Sequence, residues 1–160
     1  MTLTVHPAEL PALLDRAPPG VQILSLDCFD TLLWRNCQAP TDVFADLPIP
    51  GGALPLRTGA ESRMRRQALA AEGRHEIGIA EIYRSLYPRA CAAERDQAIA
   101  RELAAEARHC YAFAPTVALM RAAKARGLRI IIVSDTYLDE VQLRALIAAA
   151  AGDDVAAMID

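Results

Sequence analysis

The residue types best suited to chemistry in this chain lie in two short polar stretches, each directly after an apolar run. The two stretches are Asp27, Asp30 and Thr31 after residues 21–26, and Ser134 and Asp135 after residues 128–133. Both runs are short and rich in aliphatic residues, as buried strands are. Open α/β sheets bind their ligands at the carboxyl ends of parallel strands. Carboxylates and hydroxyls at that edge are therefore positioned to bind a ligand or to react with one.

The sequence around the second run predicts the elements that would place it beside the first. Residues 115–126 are predicted to form a helix that stops at Gly127, and this helix leads directly into the strand at residues 128–133. A helix, a glycine and a strand in that order are half of a right-handed βαβ unit. Residues 139–151 are predicted to form the next helix, and residues 155–159 the start of a third strand.

The segment between the two apolar runs shows no convincing strand pattern. Helices are predicted there at residues 41–47, 59–72, 80–87 and 92–111. The longest of them carries Ile99 and Leu103 four positions apart, on one face. We therefore expect an all-helical insertion between two halves of an α/β domain.

Composition excludes several classes of function. A chain of 160 residues predicts one domain, or one domain with an insertion. The net charge of −3 gives no electrostatic reason to expect nucleic acid or an anionic membrane as a partner. No apolar run reaches ~18 residues and no signal-peptide pattern opens the chain, which predicts a soluble cytoplasmic protein. The four cysteines lack metal-ligand spacing, so we expect reduced thiols that pack as small hydrophobes.

The first polar stretch resembles motif I of the haloacid dehalogenase (HAD) superfamily, which reads Asp-x-Asp-x-Thr after a hydrophobic strand. Asp27 matches the nucleophilic aspartate, and Thr31 matches the threonine four positions on. The form Asp-x-Phe-Asp-Thr-Leu-Leu followed by Arg35 is similar to a bacterial subgroup of predicted HAD hydrolases, some of them fused to glycosyltransferases. Residues 130–135 resemble motif II, an apolar strand that ends in serine or threonine, and the continuation Asp-x-Tyr-Leu is similar to the same subgroup.

This resemblance implies an α/β fold with a Rossmann-like parallel sheet that is incomplete at the carboxyl end. Residues 1–34 and 114–160 would form the core, and residues 35–113 an α-helical cap inserted between motifs I and II. Such caps close over the site and select the substrate. The resemblance stops before motif III, which supplies a lysine or arginine, and motif IV, which supplies acids for a metal. We therefore expect a truncated member or a fragment of a longer protein, with a second copy or another chain covering the exposed sheet edge.

The same resemblance implies a Mg²⁺-dependent phosphatase that acts on a small phosphorylated substrate through an aspartyl phosphate. Asp27 would attack phosphorus. Mg²⁺ would take the Asp27 carboxylate and the main-chain carbonyl of Phe29. The residues expected to bind the substrate are Thr31, Arg35, Ser134 and Asp135.

Phe29 departs from the family pattern, because it stands where the general acid normally lies. Asp30 either takes over that role or stabilises the turn by bonding to local amides. Arg35 either binds an anionic group of the substrate or packs its stem over the following element. Phe29 also fits a 2-haloacid dehalogenase-like hydrolase that needs no metal. The missing motifs leave a further interpretation open, a non-catalytic HAD-like module with a binding or assembly role near glycan biosynthesis.

Overall fold

The computed structural model describes residues 4–160, and these residues divide into two compact units. The first unit comprises residues 4–35, Cys110–Asp135 and Ile147–Asp160, and the second comprises Asn36–His109 and Thr136–Leu146. Within residues 4–160, no helix is long and apolar enough to cross a membrane. The fold is mixed α/β, as the sequence predicts.

Four short strands and six α-helices make up most of the regular structure of residues 4–160. The strands are β1 (Ile23–Leu26), β2 (Leu33–Arg35), β3 (Cys110–Ala112) and β4 (Arg129–Ile132). The α-helices are α1 (Ala53–Glu72), α2 (Ile79–Leu86), α3 (Ala92–His109), α4 (Ala114–Ala125), α5 (Glu140–Ala151) and α6 (Asp153–Ala156). Two 3₁₀-helices, Pro7–Arg16 and Pro40–Asp46, complete the set.

The first unit is built on a parallel pair of strands, β1 and β4, which are the two apolar runs of the sequence. Leu24 lies opposite Ile130 and Leu26 opposite Ile132. Because side chains alternate along a strand, these four residues share one face of the pair. That face is the more buried one, whereas Ile23 on the opposite face is 45% exposed. The 3₁₀-helix Pro7–Arg16 packs on α4 in the same unit.

The predicted third strand at residues 155–159 is wrong. Gly152 precedes α6 with a φ of 101°, and the first turn of α6 carries Asp153 and Asp154. Acidic residues there interact favourably with the positive end of the helix dipole. Asp160 reaches the sheet, where its N–H donates to the Ile130 carbonyl at 2.8 Å.

The prediction of no strand between the two apolar runs is also wrong. β2 and β3 form a short antiparallel ribbon in which Arg35 lies opposite Cys110. The predicted helix at residues 92–111 therefore ends at His109. Trp34 of the ribbon stacks on Phe113, with ring centroids 4.4 Å apart. Strands of three residues are too short to show the period-two alternation by which strands are predicted from sequence.

The second unit is mainly helical, with α1, α2 and α3 packed side by side. Its interior holds a charged group that is completely buried, the Arg57 guanidinium. Arg57 donates to both carboxylate oxygens of Glu102, at 2.7 and 2.8 Å, and Tyr83 donates its hydroxyl to the same carboxylate at 2.7 Å. The guanidinium also lies over the rings of Phe44 and Tyr137. Burial is tolerated here because the charge is paired and its donors have partners.

Candidate functional site

The turn after β1 holds the first group of predicted site residues. Asp27 directly follows the strand and is exposed, whereas the next residue, Cys28, is completely buried. The Cys28 N–H donates to Oδ1 of Asp27 at 2.7 Å, which fixes the orientation of the carboxylate. The Cys28 carbonyl accepts the N–H groups of both Leu32 and Leu33, each at 2.8 Å. These bonds fold the segment from Asp27 to Leu33 into a compact turn at the carboxyl end of β1.

Thr116 of α4 and Phe113, the residue before this helix, anchor the far side of this turn. The Thr116 hydroxyl donates to the carbonyl of Thr31 at 2.8 Å, and the N–H of Phe113 donates to the carbonyl of Leu32 at 2.8 Å. Thr116 is 3% exposed. The backbone at Thr31 is therefore held by the helix that follows the ribbon, a contact across 85 residues of sequence. Sequence patterns carry no signal for such a contact, and Thr116 was not among the predicted site residues.

Asp30 forms the corner of the turn. It has a φ of 57°, and among residues 4–160 it is the one non-glycine residue with positive φ. Aspartate tolerates this left-handed conformation better than most residues, which accounts for its presence in place of the more usual glycine. Its N–H donates to the Leu33 carbonyl at 2.8 Å, and its side chain is exposed.

Arg35 returns to the turn from the end of β2. Its guanidinium carbon lies 4.1 Å from the centroid of the Phe29 ring, a distance typical of a cation–π contact. This contact brings the positive charge of Arg35 next to the aromatic residue two positions after Asp27. The two residues were singled out separately in the sequence, and their contact was not predicted.

Ser134 and Asp135 lie just beyond the carboxyl end of β4. The pairing of β1 with β4 continues one residue past the strands, since the Val133 N–H donates to the Leu26 carbonyl at 2.9 Å. Adjacent strands are about 4.8 Å apart. Ser134 therefore follows β4 at the same edge of the sheet at which Asp27 follows β1. Ser134 is half-buried and Asp135 is exposed.

The charges and oxygen atoms at this edge suit a small hard cation. The two segments that follow β1 and β4 carry three carboxylates, those of Asp27, Asp30 and Asp135. The guanidinium of Arg35 lies over the Phe29 ring, beside the first of these segments. Mg²⁺ is commonly held by one or two carboxylates, with waters and substrate phosphate oxygens completing its shell. The Asp27 carboxylate and the Phe29 carbonyl fit that pattern as two oxygen donors.

No larger cluster of metal-binding side chains supplements these donors in the part of the chain that the structure describes. Specifically, residues 4–160 contain no group of three or more His, Cys, Asp or Glu side chains that could hold a metal ion. All four cysteines are in the thiol form. Asp153 and Asp154 belong to α6, and Asp154 is paired with Arg121 at 3.0 Å.

The second unit has a concave feature of its own, which the sequence did not predict. A cavity of about 350 Å³ lies beside the start of α2, and its walls include Arg74, Thr136 and Gln142. The Arg74 charge is already paired, because its guanidinium contacts the carboxylates of Glu72 and Glu81. Tyr137, also in the wall, is largely buried, and burial together with the nearby Glu102 carboxylate raises the pKa of its hydroxyl. The cavity therefore presents no uncompensated cation for an anionic ligand.

A scan of the chain against models of protein families finds no match, and a search of curated proteins finds no significant match.

Proposed function

We propose that this chain carries a HAD-type phosphohydrolase site, with Asp27 as the nucleophile and Mg²⁺ as the cofactor. The observation that supports this most strongly is that Asp27 and Ser134 lie just beyond the carboxyl ends of β1 and β4, two adjacent parallel strands whose last residues, Leu26 and Ile132, are paired. The substrate class is a small phosphorylated compound that reacts through an aspartyl phosphate. The fold that accompanies the proposal is a Rossmann-like sheet with a cap formed by residues 35–113.

The proposed first step is attack by Asp27 on phosphorus. Because Oδ1 accepts the Cys28 N–H, the attack is assigned to Oδ2. A bond forms between Oδ2 and phosphorus, and the bond from phosphorus to the leaving oxygen breaks with its electron pair on that oxygen. Water then attacks the phosphorus of the aspartyl phosphate, which releases inorganic phosphate and restores the carboxylate.

The other residues of the edge bind and orient the phosphoryl group. The hydroxyls of Ser134 and Thr31 donate hydrogen bonds to phosphoryl oxygens, and Arg35 supplies positive charge. The Asp27 carboxylate and the Phe29 carbonyl would hold Mg²⁺, which would reduce the repulsion between an anionic nucleophile and an anionic substrate. Asp135 follows Ser134 at the same edge of the sheet, and we assign it to binding of the substrate.

The test is hydrolysis of an aryl phosphate by the purified protein, with and without Mg²⁺. We expect Mg²⁺-dependent release of phosphate that falls to background in Asp27→Asn. Asp154→Asn is the matched control, because this exposed aspartate lies on α6 and is engaged with Arg121; it should retain full activity. Hydrolysis that survives Asp27→Asn refutes the assigned nucleophile.

Two other outcomes of the same experiment would indicate a different function. Metal-independent release of halide from a 2-haloacid, without phosphatase activity, would assign the site to a dehalogenase-like hydrolase. A folded protein that binds no Mg²⁺ by calorimetry and hydrolyses neither substrate would indicate a non-catalytic binding or assembly module.

A further inference from the structure

The cavity beside the start of α2 lies between two segments of the second unit that are far apart in the sequence. Its lining residues come from positions 74–80 and 136–142. The Ile79 N–H donates to the Tyr137 carbonyl at 2.8 Å, and this main-chain bond ties the two segments together. The volume of about 350 Å³ falls at the lower end of the range for small-ligand sites, roughly 300–1,000 Å³. The cavity therefore has the size of a site for a small ligand.

The polar side chains of the cavity are held in place by other parts of the protein. Asp139 and Gln142 form a reciprocal cap at the start of α5. The Asp139 N–H donates to Oε1 of Gln142 at 3.1 Å, and the Gln142 N–H donates to Oδ1 of Asp139 at 2.8 Å. The Arg74 guanidinium donates to the Glu76 carbonyl at 2.6 Å. A site whose groups are already fixed loses less conformational entropy when a ligand binds.

These bonds leave hydrogen-bonding capacity on the side chains that make them. The cap uses the amide oxygen of Gln142 and does not use the NH2 group at the other end of the amide. The Thr136 oxygen accepts the Leu138 N–H at 3.2 Å, a bond that does not use the hydroxyl hydrogen. The cap uses Oδ1 of Asp139 and does not use Oδ2. The cavity lining thus combines two donors with a carboxylate acceptor.

This combination selects the kind of ligand. An anion gains no ion pair, because the Arg74 charge is compensated by two carboxylates, and it is repelled by Glu76 and Asp139 in the lining. An ammonium group can only donate, so it gives the Gln142 NH2 group no acceptor once the ligand has excluded water. A hydroxyl group can accept from one neighbour and donate to another. Several hydroxyls on one ligand therefore match this lining.

We propose that this cavity binds a small uncharged ring compound that carries several hydroxyl groups, the class to which neutral monosaccharides belong. Ligand hydroxyls accept from Gln142 and Thr136 and donate to Asp139. The apolar face of the ring packs on Ile77 and Ile79, both of which are buried members of the lining. All of these residues belong to the second unit, and the inference does not depend on the proposed hydrolase function.

The test is isothermal titration calorimetry of the whole protein with glucose, galactose and mannose, with the uronic acid of each sugar, and with putrescine as a small cation. We expect saturable binding of at least one neutral sugar, and binding at least about tenfold weaker for its uronic acid. Putrescine should bind more weakly than that sugar. If no neutral sugar binds, or if the uronic acid or putrescine binds as tightly as the neutral sugar, the inference is wrong.

Variants locate the binding. Gln142→Glu keeps an oxygen for the Asp139 N–H but removes the NH2 donor, and it should weaken binding by about tenfold or more. Ala80→Phe places a ring in the cavity from an exposed position of α2 and should abolish binding. Val141→Thr is the matched control beside Gln142, because Val141 is 78% exposed and should not affect binding.

Urea unfolding shows whether each variant is folded. Unchanged binding in folded Gln142→Glu and Ala80→Phe proteins would place the ligand elsewhere and overturn the inference. Asp27→Asn should bind the sugar as the wild type does. Loss of binding in that variant would assign the sugar to the turn after β1, which also overturns the inference.

Discussion

Asp30 shows how the backbone conformation at the corner of a turn restricts the choice of residue there. Its left-handed φ of 57° is free of strain only in glycine. Among the other residue types, aspartate and asparagine adopt this conformation at the lowest cost in energy. We predict that Asp30→Gly leaves the free energy of unfolding unchanged or slightly higher, whereas Asp30→Val lowers it by about 1–2 kcal/mol. Urea unfolding of both variants measures this.

The activity of the glycine variant separates the two roles considered for Asp30. If the residue only shapes the turn, Asp30→Gly retains phosphate release from an aryl phosphate. A stable Asp30→Gly protein without activity would instead assign the carboxylate a chemical role.

At the scale of elements, the buried ion pair between α1 and α3 is the most demanding contact of the second unit. Arg57 and Glu102 are 0% and 2% exposed at their side chains, whereas Glu61, which also contacts Arg57, is 22% exposed. Glu102→Gln leaves a buried guanidinium without its countercharge, so we predict a loss of about 3–5 kcal/mol. Glu61→Gln is the matched control and should cost less than about 1 kcal/mol. Equal losses in the two variants, measured by urea unfolding, would contradict this account.

The stability of the connection between α1 and α2 should depend on pH because of Glu81. Its carboxylate accepts hydrogen bonds from the Arg74 guanidinium at 2.9 Å and from the Gly78 N–H at 2.8 Å. Arg74, and after it the Gly78 N–H, hold the pKa of Glu81 below its usual value. The unfolded chain therefore takes up the proton at higher pH than the folded chain does. The stabilisation is complete above the ordinary carboxyl pKa and is lost as the pH falls through the lower pKa of the folded state.

We predict that Glu81→Gln lowers stability by about 1 kcal/mol near neutral pH, from the lost cap and ion pair. The difference from the wild type should shrink as the pH falls from neutral toward the acid range, because the wild-type carboxylate is then protonated. Thermal unfolding across that range measures the difference. Glu72→Gln serves as the control, since Glu72 contacts the same arginine from a more exposed position. A difference that stays constant with pH contradicts the assignment.

The elements that sequence patterns predict well are those with a continuous local signal. β1 and β4 are short aliphatic runs, and α1 stops as predicted at Gly73, whose φ is 66°. The start of α1 was missed, because Pro55 and two glycines indicated a loop although proline is tolerated in a first helical turn. The site residues after β1 and β4 are predictable as well, because each group directly follows a predicted strand. The stacking of Arg35 on Phe29, the anchoring of the turn by Thr116 and the Arg57–Glu102 pair depend on tertiary packing, which a local pattern does not encode.

At the scale of the whole molecule, the sheet of the first unit leaves apolar surface and an unpaired edge. Within residues 4–160, β1 pairs with β4 alone, and Ile23 and Val133 are 45% and 64% exposed. Unpaired strand edges with apolar side chains are templates for association. We predict either low stability of the isolated monomer or association with another chain, measured by urea unfolding and sedimentation velocity.

Two substitutions by lysine test which surface of the protein associates. Ile23→Lys places a charge on the exposed side of β1 and should weaken self-association. Val141→Lys, in α5 and already 78% exposed, should not change it. A monomer of high stability would contradict the prediction.

The most direct measurement of the central claim is capture of the covalent intermediate. The protein is mixed with acetyl phosphate and Mg²⁺, quenched rapidly, reduced with borohydride and digested, and its peptides are analysed by mass spectrometry. We predict that Asp27 alone is converted to the reduced residue, that the conversion requires substrate, and that Asp27→Asn abolishes it. Two results would contradict the assignment of Asp27 as the nucleophile. One is hydrolysis of the substrate with the reduced residue at another position. The other is hydrolysis with no reduced residue, under conditions in which an acyl phosphate is trapped.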